Sequence, residues 1–216
     1  MVQADDVARY LQNNPKFFED YADLLAHLYI PHPHGGRTIS ITERQILTLR
    51  DKGKALEGKL AELIRFGEDN DAISARVHRL SVALLAAKDF DQAAQALEFH
   101  LHDDFAVPHV ALRLWGLPAL DRPAFAEVGE QTRISAAGLA YPFCGPAGTQ
   151  EAVQWFGEEA PHVRSLAIVA LRREAETIGM LALGSEDPQR FYPDMGTIYL
   201  VRIAELAASV FVRALT

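Results

Sequence analysis

Cysteine is almost absent: Cys144 stands alone among 216 residues. No intrachain disulfide can form, and a lone thiol in a chain of this size points to a reducing, cytoplasmic setting. Long apolar runs are missing too. No stretch approaches the roughly 18 residues of a membrane span, and the opening MVQADDVARY lacks the basic and apolar regions of a secretion signal, so no membrane association is expected. Catalytic punctuation is equally scarce. There is no nucleophile elbow, no phosphate-cradling glycine loop and no framed pair of carboxylates. Asp103-Asp104 and Glu158-Glu159 are adjacent pairs, whose side chains diverge on any regular backbone, and both are expected to be solvated. The chain is therefore not expected to be an enzyme. Positive charge is in deficit as well: 21 Lys and Arg face 29 Asp and Glu, a net charge of −8 that argues against nucleic acid as a partner.

What remains is ample material for a core. Hydrophobic residues make up 49% and charged residues 23% of the chain, and at this length a folded protein buries on the order of 70% of its unfolded surface. The pattern along the chain changes twice. Residues 1–36 contain short helical patterns: Val7, Tyr10 and Leu11 share one face, Pro15 restarts the chain, and Leu24, Leu25 and Leu28 mark a further helix. Pro31-His32-Pro33-His34-Gly35-Gly36 then breaks the helical path. Ser40-Ile41-Thr42-Glu43 reads as a capping box opening a long helix. Its 3-4 spacing places Ile46, Leu49, Leu56, Leu60, Leu63, Val77 and Leu84 on one seam, interrupted by glycine, serine and asparagine. Such a seam predicts a coiled-coil-like helix over 37–88 and a homodimer, with the direction of pairing open.

Charge partitions with pattern. Residues 37–88 hold 10 Lys and Arg against 7 Asp and Glu, while residues 89–216 hold 9 against 17. After a helix carrying Ala93, Ala96, Leu97, Phe99 and Leu101, the period becomes two. Val110, Leu112 and Leu114 alternate with His109, Ala111 and Arg113, as in a strand with one buried face. Ser165–Leu171 and Thr177–Ser185, joined by a polar turn, read as a hairpin, and a helix from about Pro193 closes the chain. Three parts are expected: a small helical region at 1–36, a connecting helix at 37–88 and an α+β domain at 89–216.

The hairpin and closing helix, Ile178-Gly179-Met180-Leu181-Ala182-Leu183-Gly184-Ser185 followed by Arg190-Phe191, Leu200, Ile203 and Ala204, resemble the end of a GAF domain. In that frame Gly179 and Gly184 permit close backbone packing, Ser185 satisfies turn amides and Phe191 fills the gap between loop and sheet. The N-terminal half, Val7, Tyr10-Leu11, Pro15, Phe17-Phe18, Leu24-Leu25, Leu28, Ile30-Pro31-His32, Gly35-Gly36, Ser40, Glu43-Arg44-Gln45 and Leu49-Arg50, resembles the bacterial family called domain of unknown function 484. That resemblance spans essentially the whole chain and implies a helical N-terminal part joined to a GAF-like antiparallel sheet flanked by helices. It implies no particular activity.

GAF domains often hold a small ligand, such as a cyclic nucleotide, a tetrapyrrole or an aromatic acid, between the sheet and its covering loops. An Asn-Lys-x-Phe-x-Asp-Glu run of the cyclic-nucleotide type is not found here. Arg113, Trp115, Tyr141, Phe143, Cys144, Trp155 and Phe156 are the candidate ligand-binding residues, with Arg113 a partner for an anion; the same aromatics also suit a domain core. Cys144, in a turn-like Phe-Cys-Gly-Pro context, is read as a small hydrophobe. No metal site is expected: His100 and His102 lie two apart on a helix and face different ways, and His32 and His34 lack a third ligand. The expectation is a non-catalytic regulatory module with an unidentified ligand, no known cofactor and a separate protein partner. The alternative is a ligand-free interaction scaffold, and below it a nucleic-acid accessory protein.

Overall fold

The structure, a computed structural model, describes residues 3–27, 29–32 and 35–216, with side chains described outside 25–43. The Ser40 to Glu43 capping box, Leu28 and the His32/His34 side chains lie outside the described residues. Two compact units divide the chain, residues 1–68 and 69–216.

The first unit begins with α1 (Ala4–Asn13), α2 (Phe17–Asp20) and α3 (Ala22–His27). Asn14 ends α1 by donating its amide to the Tyr10 carbonyl at 2.8 Å, and Pro15 follows. Phe17 stacks on Tyr21 at 4.8 Å and meets Tyr10 edge-on at 6.3 Å, so the helices are tied by aromatic contacts while α1 buries nothing. Where the proline-glycine stretch predicts only a break, the chain forms a hairpin of β1 (Tyr29–His32) and β2 (Gly35–Ser40), antiparallel with Tyr29 opposite Ser40. A single helix of 46 residues, α4 (Ile41–Ala86), follows and crosses the boundary between the units.

In the second unit, α5 (Phe90–Asp103) starts on a true cap, the Asp89 carboxylate accepting from the Gln92 amide at 2.9 Å. Then come β3 (His109–Leu114), a 3-10 turn at Pro123–Phe125, α6 (Glu130–Gly138), β4 (Phe143–Pro146), α7 (Glu151–Gln154), a second 3-10 segment at Gly157–His162, β5 (Ser165–Arg173), β6 (Glu176–Ser185) and α8 (Ile198–Leu215). The four strands form one antiparallel sheet in the order β3-β6-β5-β4, with Leu112 opposite Leu181 and Ile168 opposite Ala182. The α+β class and the closing hairpin-plus-helix are as the sequence predicts. The tight hairpin turn places Glu174 at φ +54°, inside the predicted polar turn.

Period two sorts each strand between two layers. On one face Leu114, Ala167, Val169, Leu171, Leu181 and Leu183 pack against α5, α8 and the end of α4. Val77, Leu80 and Leu84 of α4 are buried in this layer, Leu80 and Leu84 completely. The second unit therefore reaches back to residue 69, further than the expected 89, because its core needs the last turns of α4. Arg213 donates to the carbonyls of Leu84 and Ala87 and closes the C-terminus of α4. On the other face Ala111, Leu166, Ile168, Met180 and Ala182 face α6, α7 and the second 3-10 segment, with Phe143, Trp115, Trp155 and Phe156 packed around them. Arg172 donates to the Leu139 carbonyl at 2.9 Å and to those of Ala136 and Ala137, which holds the end of α6 on the sheet.

The family-like signature behaves as predicted in its details. Ser185 Oγ accepts from the Asp187 amide at 3.2 Å, and Phe191 is buried at 2% exposure. A Cβ on Gly184 meets the Phe156 ring at 3.0 Å, so its absence is what lets that ring lie on the sheet.

Candidate ligand site at the edge of the sheet

Alternation along β3 puts His109, Ala111 and Arg113 on the face opposite Leu114. β3 is an edge strand of the sheet. An edge strand leaves a long side chain room to lie along the rim, and Arg113 does so with its guanidinium 5.3 Å from the Trp155 ring centroid. Arg113 Nη1 donates to the neighbouring Leu112 carbonyl at 2.9 Å. No carboxylate lies within ion-pair distance of it among the described residues, and burial pushes its pKa below the ordinary guanidinium value, with Glu151 acting in the opposite sense. A half-buried cation with donors to spare is the main chemical asset of this face.

Glu151, the first residue of α7, is the nearest compensating charge, and it is already engaged. It accepts from the Thr132 hydroxyl and from the Gly129 amide at 3.1 Å, so that it caps α6 from another helix. Thr132 first, then the Gly129 amide, Trp155 and Arg113 hold its carboxyl below the usual range. Glu151 and Trp155 stand four residues apart, the spacing that sets side chains on one helical face. Trp155 is among the residues singled out from the sequence and Glu151 is not, although their i,i+4 spacing is legible there.

Two cavities open beside these groups. One of about 360 Å³ is lined by Arg113, Trp155, Phe90, Leu97, Leu112 and Arg122. Its mouth is braced by Arg122, which holds Asp91 through two hydrogen bonds of 2.8 and 2.7 Å. The other, about 270 Å³, lies under α6 and is lined by Thr132, Phe143, Gln150, Glu151, Ile168 and Met180.

The predicted site residues do not all assemble. Arg113, Trp115, Phe143, Trp155 and Phe156 share the sheet's second face, Trp115 beneath the Arg133 guanidinium at 5.8 Å. Cys144 does not: it follows Phe143 along β4, so the pleat turns it to the opposite layer, where it is 7% exposed among core leucines. Burial raises its thiol pKa, which agrees with the small-hydrophobe reading and removes it from the ligand group. Tyr141 is also displaced. At 78% exposure it borders a separate surface cavity of about 550 Å³ with Arg172 and Glu205.

The seam divides in the same way. Ile46, Leu49, Leu56, Leu60 and Leu63 are between 45% and 67% exposed, whereas Val77 and Leu84 are consumed by the chain's own core and leave nothing for a partner. Asp104, expected to be solvated, is instead bonded to Arg79 and to His100 Nδ1, the latter at 2.6 Å.

Compared with known proteins, the chain matches the family model described as "Protein of unknown function, DUF484" over residues 1–214. It is 28% identical over 219 residues to the uncharacterized protein YigA of Salmonella typhimurium (strain LT2), covering 94% of this chain and 89% of that protein. Among solved structures it is similar to the chromophore-binding domain of an unusual bacteriophytochrome, RpBphP3, from R. palustris. The identity is 11% and the TM-score 0.40, over 68% of this chain and 61% of the other. The match thus spans about three fifths of the phytochrome chain's length.

Proposed function

The chain belongs to the DUF484 family, and on that premise we propose that it is a non-catalytic, GAF-like regulatory module that binds a small anionic ligand at Arg113 and passes its occupancy to a separate protein partner in the cytoplasm. The half-buried Arg113 carries this reading: it stacks on Trp155 beside a cavity of about 360 Å³, with no carboxylate at ion-pair distance among the described residues. A guanidinium in that position is met best by a carboxylate or phosphate, and the flanking indole suits a flat ring attached to it. Small aromatic acids and nucleotides have that chemistry.

Regulation needs a second element that moves or pairs, and α4 supplies it. The exposed leucines at 56, 60 and 63 occupy successive d, a and d positions of a heptad, with Ile46 and Gly53 at a and Leu49 at d. A second copy of the chain is the occupant we infer for this face, and its charges support one direction. In a parallel, in-register pair, Lys52 at g faces Glu57 at e of the partner, twice, with no like-charge contact. The antiparallel alternative gains Arg50 on Glu57 but sets Lys52 against Lys59. We therefore read α4 as a parallel homodimer arm. Ligand occupancy would bias its packing as a population shift between two arrangements. A ligand-free scaffold that recruits its partner through α4 alone is the second reading, favoured by the amount of aromatic side chain already filling the sheet's second face.

Thermal-shift screening with aromatic carboxylates and nucleotides tests the reading. At a ligand concentration 100 times Kd the gain is about 2.7 kcal/mol, a rise of roughly 5–10 °C for a unit of this size. The same ligand is expected to shift Arg113→Gln by under 2 °C. A panel that shifts neither protein supports the scaffold instead.

A further inference from the structure

A second group of side chains lies on the same sheet face as Arg113, at the other end of β3. His109 opens β3 opposite Gly184, and Glu186 follows the end of β6. Glu159 comes from the 3-10 segment Gly157–His162. One ligand-type atom from each of the three falls within 4.8 Å of the others.

His109 Nε2 is the atom that needs explaining. It is buried from solvent and makes no hydrogen bond among the described residues, and the Glu186 carboxylate stands off at 3.9 Å. A buried imidazole nitrogen is ordinarily satisfied, because leaving it bare forfeits its hydration without return. The ring has little freedom to seek a partner elsewhere. It lies 6.0 Å from the Phe156 ring, which itself rests closely on Gly184, where a Cβ would meet it at 3.0 Å, and the side chain is 11% exposed.

The backbone that carries the two carboxylates is ordered by its own turns. Beside Glu186, Ser185 Oγ accepts from the Asp187 amide at 3.2 Å, Ser165 Oγ donates to the Asp187 carbonyl at 2.6 Å, and the Gln189 amide donates to Asp187 at 2.8 Å. Beside Glu159, Gly157 takes φ +61° and Pro161 stiffens the following turn. A cation seated between the two carboxylates and the bare nitrogen would offset the repulsion between the negative groups and satisfy the imidazole.

We propose that His109, Glu159 and Glu186 form a binding site for a divalent transition-metal cation. Zinc bonds to imidazole nitrogen and carboxylate oxygen are about 2.0–2.2 Å long. Donor atoms within 4.8 Å close on such an ion by small rotations of the two exposed glutamates, with His109 as the fixed anchor. One nitrogen and two carboxylate oxygens suit Zn²⁺, Mn²⁺ or Co²⁺ better than Cu⁺, which prefers sulfur, or Ca²⁺, which takes six to eight oxygens. Three protein ligands leave coordination positions open to water or to an anionic ligand. The site lies in the second unit alone and stands independently of the Arg113 reading.

Cobalt is the probe of choice because its visible absorption reports ligand type. Full-length, untagged protein is titrated with Co²⁺ and then with Zn²⁺ in competition, with metal content measured after gel filtration. The expected result is one ion per chain, a visible band without the near-ultraviolet charge transfer of a thiolate, and affinity lowered at least tenfold in both His109→Gln and Glu186→Gln. Glu186 is 67% exposed, so Glu186→Gln is expected to melt with the wild type in EDTA, which separates loss of binding from loss of fold. Absence of any visible band overturns the proposal. So does binding that survives both substitutions, which would assign it to other histidines, or a thiolate band, which would assign it to Cys144.

Discussion

Replacing Gly179 by alanine probes the sheet and the candidate site at once. Gly179 sits on β6 opposite Leu114, and a Cβ built there falls 2.5 Å from the Arg113 carbonyl oxygen, 2.7 Å from Leu114 Cδ2 and 3.3 Å from Leu114 Cα. Carbon contacts are comfortable only from about 3.5 Å, so β3 and β6 must part by close to 1 Å, which stretches the ladder between them. The obstacle is backbone, and it cannot rotate aside. Overpacking of this kind costs about 1–3 kcal/mol, and the upper half of that range applies where a ladder must open. For a unit of this size the loss in melting temperature is roughly 4–10 °C. Arg113 moves with its own carbonyl, so the same substitution also weakens any ligand held by its guanidinium. Two glycines serve as references. At Gly184 the colliding atoms are the Phe156 ring and Val163 Cγ1, at 3.0 and 3.1 Å, and side chains give more readily, so Gly184→Ala costs less. At Gly58, on the exposed face of α4, nothing lies within 4 Å, and alanine there adds up to about 1 kcal/mol of helix stability. Thermal unfolding followed by circular dichroism ranks the three. A Gly179→Ala protein melting within 1 °C of the wild type, or above Gly184→Ala, would refute the packing argument.

Three further outcomes follow from the same contacts. Leu56→Cys, at a d position of the exposed seam, is expected to form an interchain disulfide under mild oxidation, as a parallel, in-register pair sets residue 56 beside its own copy; a chain that stays uncrosslinked, or sediments as a monomer at micromolar concentration, counts against the dimer arm. Arg79 first, then His100, holds the Asp104 carboxyl below its ordinary range, so its contribution to stability is complete above the unfolded value of about 3.9 and is lost as pH falls through the lower native value. Asp104→Asn should therefore be less stable than the wild type at pH 7, and the difference should shrink below about pH 4 in a pH series of melting curves. Cys144, 7% exposed with its thiol pKa raised by burial, should react with a thiol reagent at least a hundredfold more slowly in the folded protein than in denaturant; equal rates would contradict its place in the core.

What the sequence made legible was whatever leaves a periodic trace. The alternation of Val110, Leu112 and Leu114 located β3, and the glycines and Ser185 located the hairpin and its closing turn. The heptad seam located α4, but pattern alone could not tell a leucine awaiting a partner from one already used. Leu60 and Leu84 hold equivalent-looking positions, yet one is 59% exposed and the other fully buried. Only tertiary packing separates them. Hydrogen bonds between distant segments were likewise invisible. Whereas His100 and Asp104 are an i,i+4 pair, Glu151 capping α6, Arg172 closing its far end and Asp104 reaching Arg79 join residues that no local spacing connects. The same is true of His109 with Glu159 and Glu186, which approach one another only once the sheet is formed.

For a small anion bound at the Arg113 and Trp155 face, the protein carries its own reporter. Its two tryptophans, Trp115 and Trp155, both lie on this face, each against an arginine. Titrating the full-length protein with aromatic carboxylates and nucleotides while following tryptophan fluorescence therefore reads the site without a label. A saturable change is expected for at least one anion in the wild type, and its loss in Arg113→Gln at an unchanged melting temperature. A flat response to every anion, or a saturable one that Arg113→Gln retains, would contradict anion binding at Arg113.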